Sequence, residues 1–105
     1  MTPYKVYLLE DALKIPFNPD GKILFTSEKM ELVHLTLTPG KGMEKHSQPF
    51  DVVFFVLEGK GNIEIGSEQV LVKTNTCIHV GKGTLRKWSN TGSSDLKILV
   101  IKNRC

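Results

Sequence analysis

An all-β domain, built as a two-sheet sandwich or jelly-roll barrel, is the fold class this sequence predicts, and three observations predict it. Short segments of period-two alternation recur along the chain between turn residues. No window of about twelve or more residues keeps a helical apolar stripe between breakers. One run, Val52-Val53-Phe54-Phe55-Val56-Leu57, is apolar on both faces, which suits a strand with packed material on either side at the centre of a core. With 105 residues, 40% hydrophobic and 24% charged, the chain suits one core and is too apolar for a disordered tail. Residues 1–105 are therefore read as a single domain.

In chain order, Tyr4 to Leu9 reads as a first strand, and Glu10-Asp11-Ala12-Leu13 offers at most one helical turn before Pro16 and Pro19 interrupt. Lys22 to Thr26 and Met30 to Thr38 follow as strands. In the second of these Val33, Leu35 and Leu37 share one face while His34, Thr36 and Thr38 share the other, until Pro39-Gly40 ends it. Asp51 to Leu57 is the central strand. Asn62-Ile63-Glu64-Ile65 and Gln69-Val70-Leu71-Val72 flank Gly66-Ser67, where glycine supplies the positive φ of a tight hairpin. Thr76 to Val80, a short piece around Arg86-Lys87-Trp88, and Leu96 to Ile101 complete roughly nine or ten strands.

Charge and cysteine usage exclude several function classes. The 14 basic and 11 acidic side chains give a net charge of +3 spread along the chain, without the dense Lys/Arg block of a nucleic-acid binder. No long apolar run suggests a leader or a membrane span, so a cytoplasmic location is expected, with neither nucleic acid nor membrane as partner. Cys77 and Cys105 stand in neither a disulfide framework nor a zinc-ligand spacing. Cys77 is expected as a small core hydrophobe and Cys105 as a mobile terminal thiol.

The stretch PGKGMEKHSQPFDVVFFVLEGKG, Pro39 to Gly61, resembles the first motif of the cupin superfamily in its Pro-Gly start, its HxH-like position and its VLEG turn. The stretch from Asn75 to Asn90 resembles the second cupin motif, PxGxxHxxxN, with Gly83 and Asn90 at its spacing. The hairpin at Gly66-Ser67 lies between the two, so the resemblance covers about residues 30–101. It implies a double-stranded β-helix, the jelly-roll barrel of that superfamily.

The resemblance also implies a divalent metal in the barrel, held by two histidines and a glutamate of the first motif and a histidine of the second. His46 falls on the first of these positions, Gln48 on the second, Val52 on the glutamate position and Arg86 on the last. Glutamine is a weak neutral ligand, valine is none, and arginine is a permanent cation. Asp51, beside Val52, reaches the interior only if a bulge turns it inward. No cofactor is therefore expected. The alternative is a divalent transition metal on His46, Gln48 and Asp51.

If the barrel mouth forms as the resemblance implies, His46, Gln48 and Arg86 converge on one cavity, with Val52, Phe54 and Val56 on an inward face. This suits a small organic anion paired with Arg86, its carbon skeleton against Phe54 and Trp88. Three other readings stay open. Arg86 pairs with Asp51 or another internal carboxylate in a closed barrel that serves as a structural or interaction module. The protein is an isomerase, epimerase or dioxygenase, in the metal-free case with His46 as general base and Arg86 stabilising an oxyanion. His34 or His79 enters from a neighbouring strand and rebuilds a metal site. Trp88 has its own alternative as a core or rim aromatic, and Met43 is expected as exposed filler of a Gly-rich loop rather than a lid. Val53, Phe55 and Leu57 point outward, against a second sheet or a second subunit, and a homodimer is expected, as is common among cupins.

Overall fold

The structure, a computed structural model, describes residues 3–15 and 18–104. The expectations placed on Pro16 and Cys105 lie outside the described residues. Among the described residues a 3-10 turn at Leu9–Asp11 is followed by nine strands: β1 Leu13–Ile15, β2 Asn18–Thr26, β3 Met30–Leu37, β4 Asp51–Glu58, β5 Lys60–Ile65, β6 Glu68–Lys73, β7 Cys77–Val80, β8 Arg86–Ser89 and β9 Leu96–Asn103. They form a six-stranded sheet in the order β1-β2-β3-β9-β4-β7 and a three-stranded sheet in the order β6-β5-β8. Every strand pairing is antiparallel.

Register explains where the core sits. β9 lies between β3 and β4 and aligns Val33 with Val100, Leu35 with Ile98 and Leu37 with Leu96 on one side. On its other side Phe54 meets Val100 and Val56 meets Ile98. Because the side-chain period is two, these aligned residues form one continuous inward face. Ile63, Val72 and Trp88 of the smaller sheet close over it as part of the same buried cluster. Burying each such side chain contributes about 1.5–3 kcal/mol.

The VLEG turn and the hairpin have local causes. Gly59 joins β4 to β5 at φ 94°, and a Cβ there would run into the backbone carbonyl of Asp95. Only glycine satisfies both constraints. At the β5–β6 hairpin Gly66 has φ 60° while Ser67 stays at negative φ, the pattern of a two-residue turn with glycine first.

Four sequence expectations are corrected. Tyr4 to Leu9 is not a strand, because no neighbouring strand offers it a ladder of hydrogen bonds, and Tyr4, Val6, Tyr7 and Leu8 are exposed. β2 begins at Asn18 rather than Lys22, since its first residues pair with β1. Cys77 is exposed rather than in the core: β7 pairs Ile78 with the inward Phe54 and Val80 with the inward Val52, which turns Cys77 and His79 outward. Met43 is half-buried against the core rather than exposed, tethered by its backbone N–H to the Trp88 carbonyl at 2.9 Å.

Candidate functional site

The inward face changes character along the barrel. At one end Leu37, Leu96 and Val56 are buried and apolar. Following β3 and β9 toward the other end, the same phase reaches Glu31 and Lys102, which are cross-strand partners. On the opposite sheet β8 carries Arg86 and Trp88 inward. Residues 41–48 run alongside β8 as a strap, joined by bridges between Gly42 and Ser89 and between His46 and Arg86. His46 and Arg86 exchange two backbone hydrogen bonds of 3.0 Å each, which sets both side chains on the same face. Apolar rows thus give way to a charged mouth.

A cavity of about 70 Å³ opens there, with Arg86, Trp88, His46 and Met43 on one side and Phe54, Val100 and Lys102 on the other. This volume holds the compact head of a ligand rather than a drug-sized molecule, which needs roughly 300 Å³ or more. Phe54 and Trp88 pack edge to face at a centroid distance of 5.4 Å, and the Arg86 guanidinium lies 5.5 Å from the centre of the Phe54 ring. That stacking compensates part of the cost of burying the cation.

Arg86 is 6% exposed, and no carboxylate among the described residues lies within ion-pair distance of it. Burial pushes its proton affinity down from the ordinary arginine value. Trp88 is 2% exposed, and its indole Nε1 is buried without a hydrogen-bond partner in the protein. At this cavity the indole N–H therefore lacks an acceptor from the described residues and the guanidinium lacks a carboxylate, an uncommon situation for buried polar groups.

His46 is less basic than a free imidazole, first because it is desolvated and then because Arg86 and Lys102 repel a proton from it. The Nε2 amide nitrogen of Gln48 stands 2.8 Å from His46 Nε2. With the amide in this orientation its nitrogen donates and Nε2 of the ring accepts. Gln48 itself does not line the cavity; it sits at the rim, and its carbonyl accepts from the N–H of Gly83, at 2.7 Å. The second-motif glycine, at φ 78°, thereby fixes the loop facing the strap.

The remaining candidates lie elsewhere. Asp51 faces outward, accepting from the Lys82 N–H at 2.9 Å and lying 3.4 Å from His79 Nε2, so it neither pairs with Arg86 nor reaches the barrel interior. Strand alternation beside the buried Val52 decides this, and no bulge reverses it. His79 is on the same outer face. His34 is half-buried on the outer face of β3, its proton affinity lowered by desolvation and then by Lys97 and Lys22. Neither histidine enters the cavity.

The positions where the resemblance implies a metal therefore hold a neutral imidazole bonded to a glutamine amide, a buried hydrocarbon and a buried guanidinium. Among the described residues no group of three or more His, Cys, Asp or Glu side chains is placed to hold a metal ion. This donor set does not fit a divalent ion, which needs about three well-placed ligands and is repelled by a cation in the fourth position.

Sequence reasoning missed Lys102 and Glu31. The signal was available: residue 31 is in phase with Val33, Leu35 and Leu37, and residue 102 with Leu96, Ile98 and Val100. Charged residues that continue an inward phase mark a mouth.

The pattern of the Cupin domain family matches residues 33–102. Auxin-binding protein 1 of Arabidopsis thaliana is 27% identical over 93 residues, 80% of this chain and 47% of the relative, so the chain spans about half the length of that curated protein. Among solved structures, a protein of Thermus thermophilus superposes with a TM-score of 0.72 at 26% identity, covering 94% of this chain and 89% of its own. An RmlC-like cupin family protein with a double-stranded β-helix fold from Methanocaldococcus jannaschii gives 0.80 at 20% identity, over 98% and 93% of the two chains. A predicted oxalate decarboxylase of Thermotoga maritima gives a TM-score of 0.80 at 19% identity, over 94% and 98%. The last two likenesses concern the fold, a double-stranded β-helix.

Proposed function

The chain belongs to the Cupin domain family, and from that premise we propose that it binds a small organic anion in its barrel, as a sensor or accessory protein of the cytoplasm. One observation carries this reading: Arg86 is buried at the cavity with no carboxylate partner among the described residues. A buried guanidinium is stable only when its charge is answered, and a carboxylate or phosphate answers it with two parallel hydrogen bonds. The carbon skeleton then meets Phe54 and Trp88, which line the same space. Trp88 Nε1 supplies a further donor for an acceptor oxygen. The similarity to a protein named for binding auxin accords with a small ligand.

Isothermal titration with small carboxylates and sugar phosphates tests the reading. Binding to the wild type, lost in Arg86→Ala, is expected; no binding, or binding indifferent to Arg86→Ala, overturns it. A second reading rests on His46, which lines the cavity, has a lowered proton affinity and stands across a backbone bridge from a cation. It makes the protein a metal-free isomerase or epimerase, and turnover abolished by His46→Ala would establish it. No helix among the described residues is long and apolar enough to cross a membrane.

We also propose that the protein is a homodimer. Of the ten large apolar residues exposed among the described ones, Tyr4, Val6, Tyr7, Leu8, Leu9 and Leu13 make up six, and they are consecutive with β1, the edge strand of the larger sheet. Side chains of this size, exposed by a third to three quarters, present on the order of 600 Å², close to the about 800 Å² that each partner gives to a stable interface. Light scattering is expected to show a dimer that Val6→Ser with Leu13→Ser converts to monomer. A wild-type monomer at high concentration refutes it.

A further inference from the structure

We propose that Lys102 is a second anion subsite, so that the cavity selects short dicarboxylates over monocarboxylates. The inference rests on Arg86 as the first subsite and adds a ligand class to it.

Lys102 reaches the cavity by strand phase and register. It lies two residues beyond the inward Val100 on β9, opposite Glu31 of β3 and Val52 of β4. Both of those neighbours are buried, so the lysine side chain is inward as well, and it is 19% exposed. Arg86 arrives from the other sheet, on β8. The two cations therefore approach one cavity from opposite walls, which Phe54 and Trp88 line as apolar surface. The imidazole of His46 feels both charges.

Glu31 positions the ammonium without using it up. Its Oε2 accepts from Lys102 Nζ at 3.1 Å, while its Oε1 lies 2.9 Å from Arg104 Nη2. Arg104 is itself anchored, donating from Nη1 to the Ser27 carbonyl at 2.9 Å. One carboxylate thus answers two cations, and the trio keeps a net positive charge. An ammonium has three donors. The bond to Glu31 occupies one and orients the others. Glu44, the carboxylate among the residues that line the cavity, is exposed on the strap and screened by water.

Size then limits the ligand. A cavity of about 70 Å³ does not take a long chain. A short dicarboxylate places one group on Arg86 and the other toward Lys102, with its connecting carbons against the aromatic lining. A monocarboxylate leaves Lys102 unused.

Calorimetric titration with malonate and succinate, compared with acetate and propionate, decides the matter. The wild type is expected to prefer the better dicarboxylate by about tenfold or more, the contribution of one charge-assisted hydrogen bond. Lys102→Met should bring the ratio of dicarboxylate to monocarboxylate affinity close to one. Glu31 retains Arg104 in that variant; should it melt early, Lys102→Gln, which keeps a donor to Glu31 and removes the charge, gives the same readout. Equal affinities for the two classes in the wild type, or a preference that survives both substitutions, overturn the Lys102 subsite while leaving Arg86 in place. If neither class binds, the reading of Arg86 falls, and this inference with it.

Discussion

Arg86→Met is expected to yield a protein that is more stable than the wild type by about 1–3 kcal/mol and binds small anions about a hundredfold more weakly. The two effects share one cause. Arg86 as a residue is 6% exposed and has no carboxylate partner among the described residues, so its guanidinium has lost part of its hydration without an ion pair to replace it. Its stacking on Phe54 offsets only part of this, on the order of 1–2 kcal/mol. Methionine has similar length and packs its thioether against the neighbouring rings of Phe54 and Trp88, so the cavity wall is kept while the charge is removed. Urea midpoints at unchanged m-value measure the stability, and titration of the same samples measures binding. The sign discriminates between the open readings. Were Arg86 a structural element of a closed barrel, breaking its pairing would cost about 3–5 kcal/mol. A destabilised Arg86→Met protein therefore refutes a cavity preorganised for an anion.

Much of the fold was legible because burial on one face writes itself into alternation. Val33, Leu35 and Leu37 show it in β3, and Val52, Phe54 and Val56 are buried as the in-phase half of the central run. The turn at Gly66 was legible for a different reason, since few residues accept its φ. Residues 4–9 misled because alternation reports a face and not a partner: a strand also needs a neighbouring backbone, and none is paired there. Cys77 misled because β7 is short, and a four-residue strand shows its phase only once it is aligned with β4.

The site was legible residue by residue rather than as an assembly. The sequence places His46, Phe54, Arg86 and Trp88 on separate segments, and the strap's bridge to β8 brings the first of them against the third. Gln48 was expected in the cavity and instead holds the imidazole from the rim. Lys102 and Glu31 went unnoticed because a charged residue at the end of an apolar strand reads as solvent-facing unless its phase is carried one step further. Their pairing also required knowing that β3 and β9 are neighbours, although about seventy residues separate them in sequence.

Asn90→Ala is expected to cost about 3 kcal/mol or more, the largest loss from any single polar substitution considered. The side chain is buried, and its Nδ2 donates to the carbonyls of Leu37 at 2.7 Å and Ser94 at 2.8 Å, while its Oδ1 accepts from the Gly92 N–H at 2.9 Å. Its backbone is engaged as well, donating to Lys41 at 2.8 Å and accepting from Gly40 at 3.1 Å. One residue thus fastens the end of β3, the Pro-Gly turn that starts the strap and the loop leaving β8. Alanine orphans three backbone groups, the buried Leu37 carbonyl and the less sheltered Ser94 carbonyl and Gly92 N–H. Asn90→Asp should be at least as damaging, although the two side chains are nearly isosteric, because a carboxylate oxygen would then face the Leu37 and Ser94 carbonyls where a donor is required. Denaturant midpoints give the cost, and amide exchange at Gly40 and Gly92 shows where it falls. A loss under about 1 kcal/mol in both variants would mean that these three bonds are exchanged for water without penalty. Because the strap carries His46 to the mouth, variants that still fold should bind anions more weakly, and that weakening should track the faster exchange at Gly40.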